Sequence, residues 1–160
     1  MVTRYPRGVD DPLGRTLVGV QAFLFVALAW GPSVGPSPAW LAPGWAALGV
    51  GLLLCGAVLA VLAGVRLGTG LTPFPRPRPG RGLITDGVYR LVRHPIYGGV
   101  LLMALGWTLV HPTLATLLGT SLLWLLFEVK SRYEERLLRT VHPEYDTYRR
   151  GRRRFVPFLY

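Results

Sequence analysis

The sequence predicts an all-α integral membrane protein with about four transmembrane helices, cytoplasmic N- and C-termini, and a C-terminal helical extension into the cytoplasm. Three observations predict it. Only 16% of the 160 residues are charged while 51% are hydrophobic, against roughly 25% charged in soluble domains. Four runs carry no charge at all: Thr16 to Val34, Trp40 to Val65, Pro95 to Val110 and Thr113 to Phe127. Finally, every lysine and arginine falls on one side of the four-span arrangement, which is the positive-inside pattern. Arg4, Arg7 and Arg15 precede the first run. Arg66, Arg76, Arg78, Arg81, Arg90 and Arg93 lie between the second and third, and all the others follow Phe127.

The first two runs are long enough to cross a bilayer, which takes about 20 apolar residues. The first is preceded by Arg7 and Arg15 and contains Ala27-Leu28-Ala29, an imitation of a secretory leader with its small-residue cleavage site. Asp10 and Asp11 argue against that reading. The second run, GWAALGVGLLLCGAVLAVLAG, is rich in small residues, as suits close helix contact in lipid. Together, residues 1–66 read as a two-helix scaffold within a single membrane domain. Residues 66–81, with TPFPRPRPGRG, read as an extended proline-rich cytoplasmic loop whose arginines rest on anionic headgroups.

The third and fourth runs would be about 23 Å each as helices. They read as a helical hairpin turning at His111-Pro112, short enough to require local thinning or flanking residues. Pro95 can occupy the first turn, where its missing N–H costs nothing. The fourth helix continues through FEVKSRYEERLL and ends at His142-Pro143. The lone Cys55 excludes an internal disulfide framework. His94, His111 and His142 are too scattered for a zinc site, and neither GxGxxG nor a phosphate loop is present. The RRGRRR run, Arg149 to Arg154, beside a bilayer points to anionic lipid rather than nucleic acid.

Chemistry concentrates in two places. GVYRLVRHPIYGG, Gly87 to Gly99, sets Arg93 and His94 at the cytoplasmic mouth of the third helix. On the fourth helix Glu128, Arg132 and Glu135 share a face, with Glu134 beside them. Solvated i, i+4 pairs (Glu128 with Arg132, Lys130 with Glu134, Glu135 with Arg139) would account for the acids by spacing alone. Against that, Glu128 follows directly on an apolar run, where an ionisable group is expensive unless paired or useful. An antiparallel hairpin carries Arg93, His94 and Tyr97 towards Glu128, Glu134 and Glu135, with Gly98 and Gly99 permitting close approach. A zwitterionic ligand suits such a site. Tyr145 and Tyr148 read as interface or packing residues, and Trp107 and Trp124 as core or lipid contacts.

RHPIYGG preceded by GVY, the Glu134-Glu135 pair in EERLL, and PEYDTYRRGRRRFVP together resemble the C-terminal core of the isoprenylcysteine carboxyl methyltransferase family. The phospholipid N-methyltransferases are similar in the RHPxYxG and EE parts. The resemblance covers roughly residues 83–157, and departs from the pattern where His142-Pro143 replaces the usual FG. It implies S-adenosylmethionine as methyl donor, bound from the cytosol, with no metal. On that reading Arg93 or His94 partners the donor's carboxylate and Glu134 or Glu135 its ammonium and ribose, while Tyr89 or Tyr97 covers the adenine. Pro95, Gly98, Gly99 and Glu128 complete the expected cofactor site. Arg132 would orient a carboxylate acceptor, and Glu134 would take the proton from an amine or thiol. The membrane setting implies a lipophilic or lipidated acceptor. Two other readings fit the composition: a non-catalytic membrane scaffold, and an NADPH-binding protein similar to sterol reductases, whose chains have many more spans.

Overall fold

A computed structural model describes residues 11–35, 44–75 and 82–156. Among the described residues five α-helices follow in order: α1 Pro12–Trp30, α2 Gly44–Leu67, α3 Pro95–Val110, α4 Leu114–Val141 and the short α5 Tyr145–Arg150. Single 3-10 turns occupy Gly31–Ser33, Gly68–Gly70 and Gly87–Arg90. Among the described residues the only strand-like pairing is an isolated bridge between Val92 and Arg153. Arg4, Arg7 and, in the proline-rich loop, Arg76, Arg78 and Arg81 lie outside the described residues.

Two of the helices, α1 and α4, begin at side chains that accept from their unpaired N–H groups. Asp11 caps α1 by accepting from Gly14 N at 2.8 Å, with Pro12 in the first turn. Thr113 caps α4 in a reciprocal box with Thr116, and its hydroxyl also donates to Gly31 O at 3.0 Å. The His111-Pro112 turn therefore sits against the end of α1. α3 starts on Pro95 with no side-chain cap, because the His94 ring is directed at the acids of α4 instead. α4 runs for 28 residues, about 42 Å, so the expected extension beyond Phe127 is one continuous helix. It stops at His142, whose N–H still bonds Leu138 O, with Pro143 next.

Among the described residues three helical segments are long and apolar enough to cross a membrane: Pro12–Ser33, Trp45–Gly70 and Leu114–Val141. The 16-residue α3 is the shorter apolar partner. The outward faces are apolar, with Phe23 and Trp30 70% exposed and Val65 73% exposed, as a lipid-facing surface requires. α3 packs on α2 by glycines. A Cβ on Gly99 would lie 2.6 Å from Gly56 O, and one on Gly106 would lie 2.5 Å from Gly49 O, so the two backbones are in direct contact. α1 runs antiparallel to α4: Leu28 packs over Gly119, and at the other end Tyr133 Oη donates to Asp11 Oδ1 at 2.8 Å. A core of Leu17, Leu24, Leu28, Leu123, Phe127 and Phe155 fills the space between α1, α4 and the returning tail.

Candidate functional site

After α5 the chain folds back along the segment that leads into α3. Arg93 N and His94 N each donate at 2.9 Å, to Arg153 O and Arg154 O respectively. Tyr148 Oη donates to Tyr89 O at 2.8 Å. The C-terminal segment is thus a strap across the Arg93-His94-Pro95 stretch.

Beneath the strap lies a charged cluster. Glu135, with 4% of its side chain exposed, accepts from Arg93 Nε at 3.0 Å and lies 3.2 Å from His94 Nε2. Arg154 Nε and Arg149 Nη1 approach it at 3.6 and 3.9 Å. Arg93 Nη1 also donates to Arg152 O. Arg154 Nη1 binds the Glu128 carboxylate, with Glu128 Oε2 at 2.7 Å. Glu134 takes a different role. It accepts from Tyr97 Oη at 2.9 Å and lies 3.7 Å from His94 Nδ1. The His94, Tyr97 and Phe127 rings form a stack, with centroid spacings of 5.4 and 4.6 Å.

This cluster forms one wall of a cavity of about 420 Å³. Tyr89, Arg93, His94, Pro95, Tyr97 and Glu134 all line it. So do Leu71 to Phe74 and Leu83 to Ile84 from the loop after α2, and Gln21, Val100, Phe127 and Lys130 at the deeper end. Tyr145 and Tyr148 line the opposite end. The buried hydroxyl of Tyr145 has no hydrogen-bond partner among the described residues. Burial pushes the Tyr148 phenol up to about 12. Burial raises Tyr89 and Tyr145 further, and the acids of α4 add to the effect. All three phenols are therefore neutral at physiological pH and able to donate hydrogen bonds.

The expected convergence of Arg93, His94 and Tyr97 with Glu134 and Glu135 is present, and Glu128 joins it through Arg154. Several placements differ from expectation. Arg132 has 62% of its side chain exposed, meets Glu128 at 3.6 Å, and does not line the cavity. Gly98 and Gly99 do not line it either. A Cβ on Gly98 would lie 2.5 Å from Phe155 O, and Gly99 faces α2, so their smallness serves packing. Neither further i, i+4 pair forms as spaced: Lys130 bonds Gln21, and Arg139 meets Asp146 at 3.2 Å. The basic tail is divided, with Arg149, Arg150 and Arg153 exposed and Arg152 and Arg154 partly buried in the site. Tyr145 and Tyr148 pack as expected but also form cavity wall. Trp107 donates to Leu28 O at 2.9 Å and so belongs to the helix packing.

The Phospholipid methyltransferase family model matches residues 45–144, which span α2 through the end of α4. Two curated relatives from rice, each named probable protein-S-isoprenylcysteine O-methyltransferase, come from Oryza sativa subsp. indica and subsp. japonica. Each is 37% identical over 117 residues, covering 70% of this chain and 61% of the relative. The chain therefore spans under two thirds of the length of these relatives. The fold is similar to that of the eukaryotic intramembrane Ras methyltransferase ICMT, with a TM-score of 0.63 and 22% identity over 95% of this chain and 55% of that one. A family model covering well over half of the chain, on the helices that build the cavity, shows that the chain belongs to the phospholipid methyltransferase family.

Proposed function

We propose that the chain is a membrane-embedded methyltransferase that uses S-adenosylmethionine, bound from the cytoplasmic side, and methylates a carboxylate on a lipophilic or prenylated acceptor. The observation that carries this reading is the cavity wall itself. Arg93 and His94 stand on one side of it, the Glu134 carboxylate faces the same space, and apolar and aromatic side chains close the rest. A ligand with carboxylate, ammonium and an aromatic base matches each of those features. The partnerless buried hydroxyl of Tyr145 adds a donor for such a ligand, since a buried polar atom without a partner costs about 1–3 kcal/mol. The cationic flanks of the sequence support a cytoplasmic orientation, and the rice relatives' printed name supports an isoprenylcysteine acceptor.

S-adenosylmethionine, when bound, supplies an electrophilic methyl group on a sulfonium. The chain's own residues supply position. Glu135 is locked by Arg93 and His94 and holds the mouth of α3 against α4. Glu134, fixed by Tyr97, presents a carboxylate to the donor's ammonium or ribose hydroxyls. The loop after α2 and Tyr145 and Tyr148 form the facing walls of the cavity, so that alignment rather than acid–base chemistry lowers the barrier. A carboxylate acceptor carries no proton to remove and needs no base.

The test is methyl incorporation from labelled donor by the full chain in lipid nanodiscs, supplied with a total lipid and peptide extract. A labelled, lipophilic product that releases methanol in mild base is expected. Base-stable label would identify an amine or thiol acceptor and overturn the carboxylate, and no incorporation would overturn the transferase.

A further inference from the structure

Among the described residues, Lys130 is a cavity-lining cation with no carboxylate within ion-pair distance. Its side chain is buried, with the residue 1% exposed, and it lines the cavity. Arg93 and Arg154 are each neutralised by a carboxylate. Among the described residues Lys130 Nζ has a neutral hydrogen-bond partner instead, the Gln21 amide oxygen. It also stands over the Tyr97 ring, 5.5 Å from the centroid. An ammonium has three donors, and a buried one is costly unless paired.

Position gives this pair its meaning. Leu123, Phe127, Lys130 and Glu134 fall at one helical phase of α4, and Leu17, Gln21, Leu24 and Leu28 at one phase of α1. On α1 Gln21 interrupts the buried apolar stripe, and on α4 Lys130 is the first polar residue after Leu123 and Phe127, with Glu134 one turn beyond; Gln21 and Lys130 meet. The meeting point lies between Tyr133–Asp11, at the polar end of α1, and Leu28–Gly119 further in. Lys130 is therefore deeper along the α1–α4 seam than the end of the cavity formed by Glu134, His142 and Tyr145. A water-soluble donor reaches that outer end first, whereas a molecule carrying a hydrocarbon chain reaches the inner end from the lipid.

We infer that Lys130, held in place by Gln21, is the subsite for the anionic carboxylate of the lipophilic acceptor, and that it sets the preference for acids over amines. The inference rests on the methyltransferase reading for its choice of acceptor, while the anion subsite is measurable by binding alone. Arg132, the cation that the family resemblance suggests for this task, does not line the cavity. A buried ammonium attracts a carboxylate and disfavours a protonated amine at the same spot.

The test uses the full chain in nanodiscs and two ligands, an N-acetylated S-prenylcysteine and its carboxamide. Wild type should bind the acid about tenfold tighter than the amide, in keeping with one charge-assisted hydrogen bond. Lys130→Met should bind both equally, and Lys130→Arg should restore part of the preference. With turnover, Lys130→Met should raise the acceptor's KM about tenfold and leave the donor's within about twofold. Equal wild-type affinity for acid and amide would overturn the subsite. A rise confined to the donor's KM would assign Lys130 to the donor's carboxylate and overturn the inference as stated. Absence of S-adenosylhomocysteine binding with the acid preference intact would remove the methyltransferase reading and leave the anion site standing. Gln21→Leu, which keeps the ammonium but frees it, should weaken acid binding less than Lys130→Met does.

Discussion

α3 has two faces that work by opposite physics. Towards α2 it is held by glycines, with Gly99 and Gly106 bringing backbone against backbone and no side chain intervening. Towards α4 and the strap, its N-terminal end is held by charge: Arg93 and His94 on Glu135, and Tyr97 on Glu134. The apolar seam needs no water and no counter-ion, so it suits the depth of the bilayer. The charged seam is stable only because each carboxylate finds several partners, and it sits where α4 emerges from its apolar run. A rigid uncharged seam thus fixes the helix, leaving the other face to hold groups that chemistry can use. Scaffold and site are two sides of one 16-residue helix.

That contrast can be broken from either side. The largest effect should come from the glycine seam. In Gly106→Val the new Cβ would lie 2.5 Å from Gly49 O, and backbone cannot rotate away. The expected result is loss of a monodisperse species in size-exclusion chromatography, beyond the 1–3 kcal/mol typical of overpacking. Glu135→Gln should come next. It keeps the shape but leaves Arg93 and Arg154 without their shared anion, and breaking a buried pair costs about 3–5 kcal/mol. A protein that still assembles but melts at markedly lower temperature and loses S-adenosylhomocysteine binding is expected. A melt equal to wild type would show that Arg152 O and the Glu128 carboxylate suffice to hold Arg93 and Arg154. The smallest effect belongs to Arg132→Ala. An exposed i, i+4 partner of Glu128 contributes no more than about 0.5 kcal/mol, so both melting temperature and methyl transfer should stay near wild type. A large loss of activity would restore Arg132 to the acceptor role that the sequence suggested.

Much of this arrangement is legible in the sequence because helices impose a period. Uncharged runs marked the helices, and an antiparallel hairpin brings Arg93, His94 and Tyr97 to Glu134 and Glu135 by topology alone. What spacing misses is which face a helix turns inward once three neighbours compete for it. The i, i+4 rule paired Lys130 with Glu134 as solvated charges. Yet Lys130 is in phase with Leu123 and Phe127, and that buried stripe was the signal available in the sequence. Gly98 and Gly99 show the other limit. Adjacent glycines after a basic motif suggest room for a ligand, but one meets the tail nearly 60 residues on and the other meets α2. The same long-range return turns Arg154 from a lipid-facing residue of a basic run into the partner of Glu128.

On the proposed reading, the space between Glu134, His94 and Lys130 is a site for S-adenosylmethionine beside its acceptor. The most direct measurement is the thermal melt of the full chain in nanodiscs, in parallel with S-adenosylhomocysteine and with NADPH, for wild type and for Glu134→Gln. Saturating S-adenosylhomocysteine at about 100 times its Kd should stabilise wild type by about 2.7 kcal/mol, visibly raising its Tm. Glu134→Gln should show a much smaller shift, and NADPH should shift neither. Stabilisation by NADPH, or an equal response of Glu134→Gln and wild type to S-adenosylhomocysteine, would contradict the account.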